Sequence, residues 1–229
     1  TRLAALLLFV TALASGASYD LIIRHARILD GAGNPWLKGD VAVSGGRIAA
    51  IGQLGEATAK QTVDARGLTL APGFIDIHSH GRGGIFTVPS PENYIRQGVT
   101  TILEGPDGSS AIPLKPFLDK LAATPIAINF ATLAGHGSIR SRVMGSENRH
   151  ASPAESAKMQ DLLRQAMLDG AFGLSTGLFY VPGNYAPTEE VIEIARVAGS
   201  LGGLHTSHMR DEAAHVVESV KETLRVGEE

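Results

Sequence analysis

A strand followed by a glycine-rich loop is predicted in the segment Pro72-Gly73-Phe74-Ile75-Asp76-Ile77-His78-Ser79-His80, which continues into Gly81-Arg82-Gly83-Gly84. The short apolar run lies between Pro-Gly and a cluster of glycines, a pattern typical of a buried strand. Because side chains alternate along a strand, Asp76, His78 and His80 lie on one face. The segment therefore predicts a strand that carries two imidazoles at its C-terminal end.

Strand-like runs and helical patterns alternate after this segment. The strand-like runs are 74–80, 99–104, 126–133, 172–176 and 203–208, and the helical patterns are 92–97, 114–123, 153–169, 189–199 and 211–226. Repeated βα units predict a parallel sheet, either open or closed into a barrel. A closed eight-unit barrel takes roughly 250 residues, so a barrel would be represented here by about its first five units.

The part of the chain before residue 71 has a different sequence pattern. Short β runs at 20–24, 26–29, 40–43 and 47–51 are separated by glycines and predict a small antiparallel module over 19–70. Residues 1–18 contain an apolar stretch, Leu3 to Ala14, that is too short to cross a bilayer of ~30 Å. Its basic start and small residues after it favour a partial signal peptide over a buried N-terminal helix.

This interpretation predicts a periplasmic or secreted protein with no membrane segment in its mature form. The chain has 229 residues, of which 44% are hydrophobic, and this fraction excludes intrinsic disorder. It has no cysteine, which excludes a disulfide framework, a thiolate zinc site and a cysteine nucleophile. A formal charge of −3 argues against a nucleic-acid partner, and no phosphate-loop or Ser-nucleophile motif is present.

Candidate metal ligands lie at the predicted C-terminal ends of the strands, where functional residues of parallel βα folds cluster. His78 and His80 can converge on one cation, as His-x-His does in zinc sites, although two ordinary surface histidines would look the same. The second strand ends with Glu104 and, soon after, Asp107, whose carboxylates are acceptable zinc ligands. The alternative for Asp107 is a plain turn role in Pro-Asp-Gly. His208 is the third histidine at this rim.

Two further histidines have less specific surroundings. His136, within Gly135-His136-Gly137, follows the third strand, where it either orients a substrate or forms a hydrogen bond within the loop. His205 alternates with the rim residues of its strand, so its side chain points to the opposite face and is expected to be structural.

Several longer motifs resemble one family. The opening segment and Gly98-Val99-Thr100-Thr101 resemble the amidohydrolase superfamily. The motifs Gly135-His136-Gly137-Ser138-Ile139-Arg140, Val143-Met144-Gly145, Gly173-Leu174-Ser175-Thr176-Gly177-Leu178 and His208-Met209-Arg210-Asp211-Glu212 are similar to those of D-aminoacylases, the N-acyl-D-amino-acid deacylases. The resemblance extends from residue 19 to the end of the sequence.

The resemblance implies a (β/α)8 TIM-type barrel over 71–229, present as about its first five units, and a small N-terminal β-sandwich module over 19–70. It implies one or two zinc ions, with His78 and His80 as first-strand ligands and His208 as a ligand of the tight site. Tyr180, in Gly177-Leu178-Phe179-Tyr180, falls where the family has a tyrosine that contacts the substrate. A packed aromatic beside a turn is the alternative.

The sequence also departs from the family. Asp107 stands where family members often have a bridging cysteine, and Glu104 is the fallback ligand. The family's sixth-strand histidine and its eighth-strand aspartate, the general base, are expected beyond Glu229, so no catalytic residue is assigned within this sequence. The resemblance therefore also implies that the sequence is truncated at both ends.

The resemblance thus implies a zinc-dependent hydrolase of N-acyl-D-amino acids or similar small amides. Two alternatives stay open. One is another amidohydrolase, such as a dipeptidase or a cyclic amidase. The other is a catalytically silent fragment or binding module.

Overall fold

The computed structural model describes residues 18–229, which form two compact units divided after Pro72. The stretch interpreted as a signal peptide lies outside the described residues except for Ser18, which begins the first strand. Within the described residues, no helix combines the length and the apolar character that a membrane span requires.

The first unit contains five strands: β1 (Ser18–Ile28), β2 (Leu37–Ser44), β3 (Arg47–Gly52), β4 (Thr58–Asp64) and β5 (Thr69–Leu70). They form one sheet in the order β3-β2-β1-β4, and β5 also pairs with β1. The β1–β2 and β2–β3 pairs are antiparallel, whereas β4 and β5 run parallel to β1. The sheet is therefore mixed, which corrects the expectation of a purely antiparallel module.

Two strands of this unit differ from the sequence prediction, each for a physical reason. The runs 20–24 and 26–29 were expected to be separate, but they form one strand because an irregularity at His25, with φ +58°, keeps both parts in the sheet. The β4 strand was not predicted because its residues Thr58–Asp64 are mostly polar and exposed. The described residues of this unit form a single sheet, and the β-sandwich stays a prediction.

The second unit contains only parallel strands. They are β6 (Phe74–Ser79), β7 (Val99–Glu104), β8 (Asn129–Thr132), β9 (Ala134–Gly135), β10 (Gly173–Gly177) and β11 (Leu204–His208). Their pairing order is β6-β7-β8 and β9-β10-β11. The chain passes from β8 to β9 through Leu133, whose amide donates to the Glu104 carbonyl, so the two groups form successive parts of one parallel series.

Helices follow the strands in the predicted alternation, except that no helix separates β8 from β9 and that α3 is a helix the sequence did not predict. They are α1 (Glu92–Ile95), α2 (Lys115–Ala122), α3 (His136–Met144), α4 (Pro153–Asp169), α5 (Thr188–Ser200) and α6 (Val216–Glu228). The α4 helix has the expected bounds because Ser152 and Glu155 form a capping box around Pro153. The α6 helix begins later than predicted, since the Asp211 side chain accepts from the amides of Ala213 and His215 and holds a turn there.

The largest core of this unit lies where α3, α4 and α5 pack on β9 and β10. Leu163, Leu174 and Ile194 are almost completely buried in it. Burial of each such side chain contributes roughly 1.5–3 kcal/mol relative to exposure. This packing fixes the C-terminal ends of β10 and of the neighbouring strands, where the polar residues described next are found.

Candidate metal centre

The Asp107 carboxylate lies among the three histidines that the sequence singled out. Its Oδ2 atom is 3.4 Å from His78 Nε2 and 3.1 Å from His80 Nε2. Its Oδ1 atom is 3.5 Å from His208 Nδ1. One carboxylate thus faces imidazoles from two distant strands: Oδ2 faces the histidines at the end of β6, and Oδ1 faces the histidine at the end of β11.

Parallel strand ends explain this meeting. His78 lies near the end of β6 and His80 immediately follows it, Asp107 follows β7, and His208 ends β11. The carboxyl ends of parallel strands share one edge, so side chains far apart in the sequence converge there. The second nitrogen of His208, Nε2, lies 3.5 Å from Glu212 Oε1, which is the carboxylate–histidine arrangement that commonly orients a metal-binding imidazole.

The donor set fits a zinc ion. His78, His80 and Asp107 each offer one ligand atom, and these atoms all lie within 4.8 Å of one another. Two ligands of a tetrahedral zinc ion, each about 2.1 Å from the metal, stand about 3.4 Å apart, close to the distances seen here. In addition, Oδ1 of Asp107 is buried without a hydrogen-bond partner among the described residues, an arrangement that a cation would satisfy.

Glu104, the fallback ligand, has other partners. Its Oε1 lies 3.2 Å from the Arg82 guanidinium, and its Oε2 accepts from the Thr132 hydroxyl. Burial raises the pKa of Glu104 above its ordinary value, although the Arg82 charge opposes this shift. Since both oxygens are engaged and Glu104 is not in the group with His78 and His80, the geometry favours Asp107 over Glu104 as the carboxylate of the cluster.

The backbone around Asp107 approaches two other strand ends closely. A Cβ atom added to Gly177 would lie 2.1 Å from the Asp107 carbonyl oxygen, and one added to Gly135 would lie 2.5 Å from Gly108. Only glycine allows these contacts. The glycines at the ends of β9 and β10 therefore let the loop after β7 sit directly against both strands.

A cavity of about 700 Å³ opens beside the cluster. Its lining includes His80, Asp107, Ser138, Arg142 and Tyr180. The Tyr180 hydroxyl lies 3.5 Å from His208 Nδ1, and the two rings are 4.7 Å apart. Tyr180 is thus exposed to the cavity and in contact with the cluster at the same time, as a substrate-contacting residue requires.

His136 has a different environment from the one expected of a substrate ligand. Its side chain is fully buried and does not line the cavity. Its Nε2 lies 3.0 Å from Glu190 Oε1, which also accepts from the buried Arg140 guanidinium. Burial alone would raise the pKa of Glu190, but the hydrogen bond with His136 and the Arg140 charge hold it below its ordinary value. The structure places His136 in a buried network with Glu190 and Arg140, and its role as a substrate ligand stays a prediction.

His205 pairs in register with Leu174 of β10, which packs against the helices, so it lies on the strand face opposite His208, as strand alternation predicted. Its Nε2 is 3.0 Å from the Thr176 hydroxyl. Burial, with a smaller contribution from the nearby His136, lowers the pKa of His205 to about 4. At neutral pH this imidazole is uncharged.

Sequence reasoning missed the residues that support the loop after β7. Arg82 donates to the Ser109 carbonyl and hydroxyl, and the Ser175 hydroxyl contacts Gly105 and Gly108. Arg82 belongs to the glycine-rich loop after β6, and Ser175 to one of the family-like motifs, but neither location indicates a partner.

Comparison with known proteins identifies the class to which this fold and this cluster belong. A sequence model described as the amidohydrolase family matches residues 61–204 of the chain. This match covers more than half of the sequence, and the chain belongs to that family. The parallel βα series is accordingly part of a TIM-type barrel, as the sequence predicted.

Within this family, the chain is similar to particular deacylases. The chain is 40% identical to the N-acyl-D-aspartate deacylase of Alcaligenes xylosoxydans xylosoxydans over 237 residues, covering 93% of this chain and 48% of the relative. The crystal structure of N-acyl-D-glutamate deacylase from Bordetella bronchiseptica, complexed with zinc and a phosphonate inhibitor, superposes with a TM-score of 0.89 at 37% identity. That alignment covers 92% of this chain and 49% of the other.

A third comparison concerns the metal. A D-aminoacylase structure that addresses the functional role of a binuclear metal center gives a TM-score of 0.87 at 36% identity, with coverage of 92% and 49%. The chain spans about half the length of each of these relatives.

Proposed function

We propose that the protein is a zinc-dependent deacylase of N-acyl-D-amino acids. The observation that carries this proposal is the Asp107 carboxylate, which faces His78 and His80 with one oxygen and His208 with the other. Relatives at 36–40% identity, whose names specify D-amino-acid deacylation, support the reaction and its substrate class.

The residues that would hold zinc divide into two groups around the carboxylate. His78 and His80 stand at Oδ2, and His208 stands at Oδ1. Such a bridging carboxylate can serve one ion on either side or two ions together. The binuclear metal center of the D-aminoacylase relative supports the proposal that two positions are available.

Zinc bound at this cluster would supply Lewis acidity to an amide carbonyl and to a water molecule. The chain's own residues would hold the substrate beside it. Tyr180 can donate a hydrogen bond into the cavity from a position 3.5 Å from His208. Proton transfer stays assigned to the aspartate that the family resemblance implies after Glu229.

The cavity suits a small anionic amide. Its volume of about 700 Å³ lies within the range of 300–1,000 Å³ that is typical of small-molecule sites. Ser138 provides a hydroxyl group and Arg142 a positive charge in the lining. An N-acyl amino acid carries a free carboxylate, which these groups can accommodate.

The experiment measures zinc content and hydrolysis in purified protein that includes the aspartate expected beyond Glu229. N-acetyl derivatives of D-aspartate, D-glutamate and D-leucine are compared with their L-enantiomers by the amine released. His80→Ala is the test variant. His150→Ala is its control, because His150 is an exposed histidine outside the cluster and the cavity lining.

We expect the wild type and His150→Ala to retain zinc and to release D-amino acids, and His80→Ala to lose both properties. Equal zinc content in the His80→Ala variant would overturn the proposed site. Hydrolysis of dipeptides or cyclic amides in place of N-acyl-D-amino acids would favour the other amidohydrolase activities. A chain that binds zinc and hydrolyses none of these compounds would be the silent fragment.

A further inference from the structure

A buried hydroxyl connects the two glycines on either side of Pro106 and Asp107. Ser175 lies on β10 and is completely buried. Its Oγ accepts a hydrogen bond from the Gly108 amide at 3.2 Å and donates one to the Gly105 carbonyl at 2.5 Å. These contacts join residues separated by 67 and 70 positions in the sequence.

Asp107 and Gly108 are the central residues of a turn that the Ser109 amide closes by donating to the Pro106 carbonyl at 3.2 Å. The Ser175 hydroxyl adds a second bridge across the same loop, from the Gly105 carbonyl to the Gly108 amide, and this bridge runs through a side chain of another strand. Asp107 has φ +57°, in the left-handed region that favours glycine, asparagine or aspartate in turns.

The surrounding backbone leaves this turn little freedom on one side. A Cβ atom on Gly108 would lie 2.7 Å from the Gly177 amide nitrogen, so the turn and the end of β10 are in direct contact. Contact alone limits approach but does not prevent separation. The two hydrogen bonds of Ser175 supply the attraction that holds the turn against β10.

We propose that Ser175 is a positioning residue for the metal centre: its hydroxyl bridges Gly105 and Gly108, holds the loop that carries Asp107 against β10, and thereby aims the Asp107 carboxylate at the three histidines. Ser175 is outside the ligand group and acts through Asp107. The inference rests on the proposed zinc site and extends it to a residue that supports a ligand through its backbone.

The test measures zinc affinity by competition with a chromophoric chelator. Ser175→Ala removes the hydroxyl with almost no change in shape, and we expect the zinc dissociation constant to rise about 10–100-fold, as for other groups that orient a metal ligand. Thr176→Val is the control. It removes the neighbouring buried hydroxyl, which contacts His205 and Ser207 on the other face of β10, and should leave zinc affinity unchanged.

A second pair of variants covers the case in which Ser175→Ala does not fold. Ser175→Thr and Ser175→Val have nearly equal shapes and differ in the hydroxyl group, so packing affects both alike. We expect Ser175→Thr to bind zinc at least about tenfold more tightly than Ser175→Val. Equal affinities within this pair, or wild-type affinity in Ser175→Ala, would overturn the inference.

The failures of the two proposals can be told apart. If the wild type binds zinc and the loss of the Ser175 hydroxyl has no effect on affinity, only the positioning role is lost. If the wild type binds no zinc, the proposed metal centre fails and the positioning role fails with it.

Discussion

The two sides of the candidate metal centre differ in how much protein surrounds them. On one side, the side chains of Asp107 and His208 are 15% and 18% exposed. On the other side, those of His78 and His80 are 59% and 63% exposed. We refer to these as the enclosed side and the open side.

The difference in exposure follows from the strands that carry these four side chains. The enclosed side lies where the loop after β7 packs against the glycine-containing ends of β9 and β10. The open side lies on β6, which among the described strands pairs only with β7. The apolar residues Phe74, Ile75 and Ile77 of β6 are exposed accordingly.

The comparison shows which side chains of the candidate metal centre are held in place by contacts within this chain. Hydrogen bonds and close backbone packing fix Asp107 on the enclosed side before any ligand is considered. On the open side, His78 and His80 have contact with Asp107 as their polar restraint and little packing. We therefore expect substitutions that remove packing on the enclosed side to affect folding as well as metal binding, and those on the open side to affect metal binding alone.

The largest effect on folding is expected beneath the enclosed side, at Glu190. The Glu190→Ala substitution leaves the fully buried Arg140 without its carboxylate partner. Loss of one partner of a buried ion pair lowers the free energy of unfolding by about 3–5 kcal/mol, and urea denaturation followed by circular dichroism measures it.

The neighbouring Glu189 provides a matched control for this substitution. Its pair with Arg225 is exposed, so Glu189→Ala should lower the free energy of unfolding far less than Glu190→Ala does. Equal denaturation midpoints for the two variants would contradict the structural importance of the buried network.

Asp107→Gly separates metal binding from folding. Removal of the shared carboxylate should weaken zinc binding by at least about 100-fold, more than the loss of a group that only orients a ligand. Glycine adopts the φ of +57° without strain, so the free energy of unfolding should stay constant or rise by about 1–2 kcal/mol. Chelator competition and thermal unfolding of the metal-free protein measure the two quantities. A variant that keeps its zinc affinity would contradict the central place of Asp107.

Local signals explain the elements that the sequence predicted well. The β7 strand has the expected bounds, Val99–Glu104, because a short apolar run lies between two glycines. The α4 helix also has its expected bounds, since its capping box is contained in four consecutive residues. The α3 helix was missed because its glycine-rich start is a poor helix former. Its position depends on tertiary packing against α4 and β10.

The same distinction applies to the site. The histidines and Asp107 could be named from the sequence because each stands at or just beyond the end of a predicted strand. Ser175 could not, since its partners Gly105 and Gly108 lie about 70 positions away and no periodic pattern links them. The choice between Asp107 and Glu104 as the metal ligand likewise depended on the position of Arg82, whose guanidinium pairs with the Glu104 carboxylate.

A pH dependence of stability is expected from His205 of β11, which contacts Thr176 of β10. Its pKa of about 4 in the folded protein, lowered chiefly by burial, is below the value of about 6.5 in an unfolded chain. Between these two pKa values the unfolded chain binds the extra proton, so the free energy of unfolding falls as the pH falls. The contribution of this one group is about 1.4 kcal/mol per pH unit.

Urea denaturation of the metal-free protein at pH 7, 6 and 5 measures this dependence. We expect the wild type to lose stability over this range more steeply than His205→Gln, whose side chain does not titrate. Parallel pH profiles for the two proteins would show that the buried imidazole is not the cause.

The smallest expected effect compares the two sides directly. His208→Ala and His80→Ala should both weaken zinc binding, because each removes an imidazole that faces Asp107. His208 also packs against the rings of Tyr180 at 4.7 Å and Phe179 at 5.7 Å between centroids, whereas His80 contacts the exposed ring of His78 at 5.6 Å. In the metal-free protein, His208→Ala should therefore lower the free energy of unfolding by about 0.5–1.5 kcal/mol, and His80→Ala should leave it unchanged. If both substitutions destabilise the metal-free protein equally, the open side is held by contacts as strong as those of the enclosed side, and exposure is a poor guide to which ligands are fixed before the metal binds.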